Sequence, residues 1–432
     1  MSEHLPVVIV GGGQAGLALS WHLVAGGVEH AILERDTALH TWRDARWDSF
    51  CLVTPNWQCQ LPGYRYGGPD PDGFMVRLEI IEWLDGYRAR FAPPVREHTA
   101  VTSLYPRGDG PGAEDPAGGF VVRTAGELIS GEIVADQVVV ATGGYHTPAI
   151  PRLAERLPDG IVQVHSSTYR NPDALPAGAV LVVGTGQSGA QIAEDLHLAG
   201  RRVHLAVGNA PRFARRYRGR DVIAWMHDTG HYAKPVTARP LEERALDRTN
   251  HYVTGRDGGR DIDLRALARA GMTLHGRLVD LTGSRFHFAA DLTTNLDAAD
   301  EVYNGINTLI DAHITTNGLD VTTGPSRYEP VWRPATSTGP GLGVDDIAAV
   351  VWATGFTRDY RWLHAGVFDG AGHPQHLRGV TAVPGLYFLG LPWQHTWGSG
   401  RFAGLAQDAA HLAEHIGLRR QAGARPTGAG RS

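Results

Sequence analysis

An α/β fold in which one domain is inserted into another is predicted by three features of the sequence. A strand–glycine turn–helix–strand unit opens the chain. A second copy of that unit begins at Ala179, and a strand and helix near the C-terminus remain to complete the first. In the opening unit, Val7-Val8-Ile9-Val10 is a run of apolar β-formers leading into Gly11-Gly12-Gly13-Gln14-Ala15-Gly16. An apolar-periodic helix follows and stops at Gly26-Gly27, and a short strand ends at Glu34. Gly11 permits the tight turn. At Gly13 the missing Cβ lets the backbone approach a pyrophosphate, and at Gly16 it lets helix and strand pack closely. The anion then rests on the helix N-terminus, where free N–H groups and the helix dipole favour it. Glu34 follows Gly11 by 23 residues, where a carboxylate can accept hydrogen bonds from a ribose. In a chain with 55 glycines the motif alone says little, but this context makes it a dinucleotide site.

Composition bounds the rest. A length of 432 suits two or three domains, and a net charge of −5 without like-charge blocks argues against nucleic-acid or membrane partners. Lys234 is the only lysine, which excludes a Walker-type phosphate loop. Two cysteines, Cys51 and Cys59, make no disulfide scaffold and point to a reducing cytosol. A strand starts within a few residues of Met1 and no apolar run approaches a membrane span, so the expectation is a cytoplasmic globular protein.

After the first unit, residues 39–63 are aromatic-rich and poorly alternating, read as an irregular segment packed on something flat. Glu79 to Phe91 reads as an amphipathic helix and Val95 to Leu104 as a strand. Asp109 to Gly119 reads as a surface loop, Phe120–Thr124 with Gly131–Val134 as a hairpin, and Val138 to Ala141 as a buried strand. That strand runs into Ala141-Thr142-Gly143, whose small residues let the chain cross beside a ligand, and Pro148 and Pro151 then form a rigid exit.

The second unit carries Gly184-Thr185-Gly186-Gln187-Ser188-Gly189. The position matching Glu34 is Val207, so no acid waits for a ribose hydroxyl. Arginines follow, and Arg212, Arg215 and Arg216 are candidates for a 2′-phosphate through charge-assisted bonds, favouring NADPH over NADH. Residues 225–325 are read as a mostly helical insertion, with a helix at Leu264–Ala270, a strand at Leu274–Leu281 and a helix at Ala298–Thr315. A strand at Ile347–Trp352 reaches Ala353-Thr354-Gly355-Phe356, echoing Ala141-Thr142-Gly143. Leu386–Leu389 leads into Gly390-Leu391-Pro392-Trp393-Gln394-His395-Thr396-Trp397, and a helix spans about Arg401 to Ile416. Expected bounds are 1–170 and 336–418 for a discontinuous first domain, 171–335 for the inserted one, and a disordered tail at 419–432.

Together, the first GxGxxG with Glu34, the Ala141-Thr142-Gly143 segment with its prolines, Gly184–Gly189 and Ala353-Thr354-Gly355-Phe356 resemble the single-component flavin-containing monooxygenases over nearly the whole chain. That resemblance implies FAD in the first fold and NADPH in the second. It implies that reduced flavin takes up O2 as a hydroperoxide, which NADP+ shields until a soft nucleophile, an amine nitrogen or a sulfide, is oxygenated. It adds Arg35, Trp42, Arg43, Thr54, Val101, Gly390 and Leu391 to the cofactor residues, and Asn56, Gln394 and His395 to the reactive flavin edge. Trp393 and Trp397 are either ordinary core or, beside the flavin, the substrate wall, and a homodimer is left open. The family's Phe-x-Gly-x3-His-x3-aromatic stretch is altered here. His165 and Tyr169 fit, the Phe is absent, and Gly160 lies one residue too far from the histidine. This counts against the Baeyer–Villiger branch. A flavin reductase or oxidase without oxygen insertion is the other alternative. Cys51 and Cys59 are too far apart in sequence for a close redox pair, and His411-Leu412-Ala413-Glu414-His415 lacks the downstream acid a zinc site needs, so no metal is expected.

Overall fold

In the computed structural model, residues 3–108, 118–126, 130–239, 250–335 and 341–423 are described. The expected loop at Asp109–Gly119 lies almost wholly outside them. The first domain opens with β1 (Glu3–Val10), α1 (Gln14–Ala25) and β2 (His30–Leu33), the predicted unit. It continues through α2 (Arg77–Ala89), β3 (Val95–Arg96), β4 (Thr99–Pro106), β5 (Phe120–Gly126) and β6 (Gly131–Val140). The second domain holds β7 (Val162–His165), β8 (Val180–Val183), α3 (Gln187–Leu198), β9 (Val203–Ala206), β10 (Thr273–His275), α4 (Leu292–Asn317) and β11 (Ala349–Trp352). The chain then returns with β12 (Leu386–Phe388) and α5 (Phe402–Gly423).

The first sheet has seven strands in the order β3-β2-β1-β6-β5-β4, with β12 beside β6. β6 is long enough to serve two partners. Its first half pairs antiparallel with β5 and its last three residues pair parallel with β12, while β1 lies along most of its length. Val7, Val8 and Ile9 are wholly buried, as expected of a parallel strand covered on both faces. The second sheet, β7-β11-β8-β9-β10, is parallel throughout.

Four expectations change. β7 and β11 pair within the second sheet, so its strands span 162–352 rather than lying inside 171–335. The single strand expected over Val95–Leu104 breaks at His98, whose φ is 51°, and its two pieces go to opposite edges of the first sheet. Leu274–Leu281 likewise divides, since β10 ends at His275 and Leu278–Thr282 forms its own hairpin with Arg285–Phe288. Residues 419–423 of the expected disordered tail are helical, since α5 runs to Gly423, and the rest of that expectation lies outside the described residues.

Candidate active site at two joined glycine turns

The two glycine turns are built alike. A Cβ on Gly11 would sit 2.6 Å from the Ala141 carbonyl oxygen, and one on Gly184 would sit 2.6 Å from that of Ala353. Each turn is therefore crossed by its own Ala-Thr-Gly segment, at the end of β6 in one domain and of β11 in the other. A Cβ on Gly16 would drive into the Gly11 carbonyl, and one on Gly189 into that of Gly184. Around Gly13 and Gly186 the space is open, and neither helix that follows has a side-chain cap. An uncapped helix N-terminus facing open space fits a pyrophosphate.

The crossing segments also join the domains. Thr147–Pro148, beyond Gly143, pairs antiparallel with Phe356–Thr357, beyond Gly355. The Ala149 N–H donates to the Gly355 carbonyl at 2.9 Å, and Thr354 Oγ1 donates to the Ala149 carbonyl. His165 Nε2 bonds the same Gly355 carbonyl at 2.9 Å, and Tyr169 donates to Asp195 of α3. Burial pulls the His165 pKa down, keeping the ring a neutral strut at the junction.

Glu34 stands at the end of β2, accepting from the Gly12 N–H at 2.6 Å and the Asp36 N–H at 2.9 Å. Gln14 receives Trp42 Nε1–H at 2.6 Å and donates to the Gly400 carbonyl, while Trp42 stacks on Phe402 at the start of α5. Gly390 packs so close to Ala15 that a Cβ would stand 2.7 Å away. The first turns of α1 and α5 are thereby held together, and Leu391 is buried. Arg35 is exposed and paired with Asp36, and Arg43 is paired with Asp85. Thr54 and Val101 are half-buried, Thr142 bonds His146, and Gln187 and Ser188 are half-buried in the first turn of α3.

Several side chains have other duties than the sequence suggests. Asn56 is buried with its Oδ1 accepting from the Met75 N–H at 2.7 Å and its Nδ2 donating to the Asp70 carbonyl at 2.9 Å. That amide ties down a loop instead of reaching into a cleft. Gln394 is buried, and its Oε1 accepts from the Leu391 N–H. Arg212 and Arg215 are nearly inaccessible. Arg212 pairs with Asp300, and Arg215 with Asp221 and the Val53 carbonyl. Both are internal cations already neutralised, not surface groups awaiting a phosphate. Arg216 is exposed, but it lines a cavity with Trp57 and Asp72 of the first domain.

The aromatic wall of Trp393 and Trp397 is completed by residues the sequence did not single out. Tyr232 stacks on Trp397 at 3.8 Å, the Arg239 guanidinium lies 4.5 Å over Trp393, and the Val236 N–H donates to the His395 carbonyl. Ser399 Oγ accepts from the His395 and Thr396 N–H groups, fixing that turn, and burial holds the His395 pKa below its usual value. From His227 to Arg239 the sequence holds one tyrosine and no phenylalanine or tryptophan, so no aromatic pattern pointed to this.

Cys51 and Cys59 are both free and buried, and burial pushes the Cys59 thiol up to about 12 and raises that of Cys51. Native protein at pH 8 should therefore leave both thiols unmodified by a disulfide reagent such as DTNB, with both reacting once guanidinium unfolds the chain. Rapid native labelling would contradict this burial. Among the described residues no cluster of three metal-ligating side chains occurs, and no helix is long and apolar enough to cross a membrane. His411 and His415 simply meet edge to face.

Comparison with known proteins agrees with this layout. The family model for pyridine nucleotide-disulphide oxidoreductases matches residues 8–228. A CzcO-like oxidoreductase of Geobacillus kaustophilus is 32% identical over 420 residues, covering 96% of this chain and 99% of its own. An indole-3-pyruvate monooxygenase of rice is 32% identical over 208 residues, 47% of each chain. Among solved structures, a flavin-containing monooxygenase from Stenotrophomonas maltophilia shares the fold at a TM-score of 0.64 and 19% identity, covering 97% of this chain and 99% of that one. With two dinucleotide folds joined at their crossing segments and both cysteines free, the chain belongs to the pyridine nucleotide-disulphide oxidoreductase family, as a flavoprotein enzyme for FAD and a nicotinamide nucleotide with the flavin-containing monooxygenase fold.

Proposed function

We propose that the chain is an FAD-dependent, NADPH-consuming monooxygenase acting on an amine nitrogen or a sulfide of a small organic substrate. The ladder between Thr147–Pro148 and Phe356–Thr357 supports this reading, because it joins the continuations of the two segments that cross the glycine turns, one from each fold. Bound FAD supplies a hydride acceptor for the nicotinamide and, once reduced, two electrons for O2. The balance is NADPH, H+, O2 and substrate in, and NADP+, water and oxygenated substrate out.

The chain's own groups position and exclude. The α1 N-terminus holds the FAD pyrophosphate and Glu34 its ribose, while the α3 N-terminus holds the NADPH pyrophosphate. No carboxylate at Val207 repels a 2′-phosphate. Trp393, His395 and Trp397, backed by Tyr232 and Arg239, close the flavin side against water. The test is stoichiometry. With a panel of amines and sulfides, at least one should yield an oxygenated product equal to the NADPH consumed. If every amine, sulfide and ketone instead leaves one H2O2 formed from O2 for each NADPH oxidised, the enzyme is an oxidase. Oxygenated ketones alone would place it in the Baeyer–Villiger branch.

A further inference from the structure

Away from the glycine turns, one cavity is furnished for a ligand. Its volume is about 380 Å³, and it lies between Trp57 and Asp72 of the first domain and residues 216–227 of the second. That size suits a small organic molecule. One wall is aromatic, with Trp57 and His227 meeting edge to face at 5.0 Å. The other carries two guanidiniums, Arg216 and an Arg220 that is already ion-paired with Asp228, so Arg216 supplies its free charge. Among the described residues the Arg216 side chain bonds only the Gly258 carbonyl, at 3.3 Å, leaving most of its N–H donors available. Arg220 is steadied by the Trp225 ring at 4.8 Å and by Asp228. Asp221 also lines the space, but its Oδ1 is taken by Arg215 at 2.6 Å and by the Ile223 N–H at 2.7 Å. Asp72 is exposed.

Two guanidiniums opposite ring edges recognise a carboxylate on a flat apolar body, the carboxylate by forked N–H bonds and the body by contact with the rings. We propose that this cavity binds such an organic carboxylate, with Arg216 and Arg220 on the anion and Trp57 and His227 on the ring. Its place in the fold suits an entrance. The helix Val222–Asp228 carries His227 and leads directly to Tyr232 and Arg239 on the Trp393–Trp397 wall, while Trp57 stands between Asn56 and Gln58 of the opposite turn. Calling the ligand a substrate rests on the monooxygenase reading, whereas its binding does not.

The experiment is calorimetric titration of the FAD-loaded enzyme with 3-phenylpropionate and with its primary amide, which has the same body and no charge. The acid should bind at least tenfold tighter than the amide. Arg216→Ala should remove that preference without changing the amide's affinity or the bound flavin, and Trp57→Ala should weaken both ligands. Adenosine 2′-phosphate should not compete with the acid. Equal binding of acid and amide, no binding of either, or an unchanged preference in Arg216→Ala would overturn the proposal. Competition by adenosine 2′-phosphate would overturn it too, by making Arg216 a ligand of the NADPH phosphate. Binding of the acid by an enzyme that oxygenates nothing would leave the cavity assignment standing and remove the monooxygenase reading alone.

Discussion

Gly189→Ala should yield a yellow protein that can no longer use NADPH, while Gly16→Ala should lose the flavin itself. Both substitutions add one methyl group, and each aims it at the backbone carbonyl of the first glycine of its own turn. Real Cβ atoms essentially never come within 3.0 Å of such a neighbour, so the helix must retreat from the strand. At position 189 the added Cβ would also stand 3.0 Å from Ala353 Cβ, so the crossing segment is pushed as well as the turn. Overpacking of this kind costs about 1–3 kcal/mol, and the displaced helix N-terminus also loses its aim at the pyrophosphate. A rise of at least about 100-fold in the KM for NADPH follows, equivalent to roughly 2.7 kcal/mol of binding. Flavin absorbance after gel filtration and steady-state NADPH oxidation separate the two variants. Gly189→Ala with a KM within twofold of the parent, or Gly16→Ala with full flavin, would show that the turns are not the two nucleotide sites.

The turns were readable because their function demands a local pattern. Gly11, Gly13 and Gly16 each answer a separate steric requirement within six residues, and Glu34 is placed by the length of one helix and one strand. The crossing segments were readable for the same reason. What was not readable depends on long-range pairing. Nothing in Val162–His165 or Ala349–Trp352 states which sheet it joins, and both pair in the second. Single backbone turns also redirect strands without a composition signal, as His98 does with a left-handed φ that glycine or asparagine more often adopts. Asn56 looked like a cleft side chain, but its partners Asp70 and Met75 come from a loop whose return toward it the sequence does not show.

Arg212 is the sharpest instance, and its correction is testable. Its guanidinium pairs with Asp300 at 2.7 Å and lies over the rings of Tyr303 and Tyr328 at 4.5 and 4.0 Å. Asp300 in turn holds Arg265 at 2.8 Å, so one buried carboxylate pairs with two buried cations across 88 and 35 residues of sequence, and Asp297 shares the second of them. Removing one partner from a buried ion pair costs about 3–5 kcal/mol, because the other charge is left in a medium that solvates it poorly. Asp300→Ala should therefore lose about 3–5 kcal/mol in urea unfolding, with the Arg212 guanidinium stranded and Arg265 left to Asp297 alone. Arg212→Ala should be destabilised in the same direction but by less, since Arg265 still answers Asp300. In the folded fraction of Arg212→Ala, the KM for NADPH should stay near that of the parent. The opposite pattern, normal stability with a KM raised tenfold or more, would return Arg212 to the 2′-phosphate and mean that the Asp300 pair opens when NADPH binds.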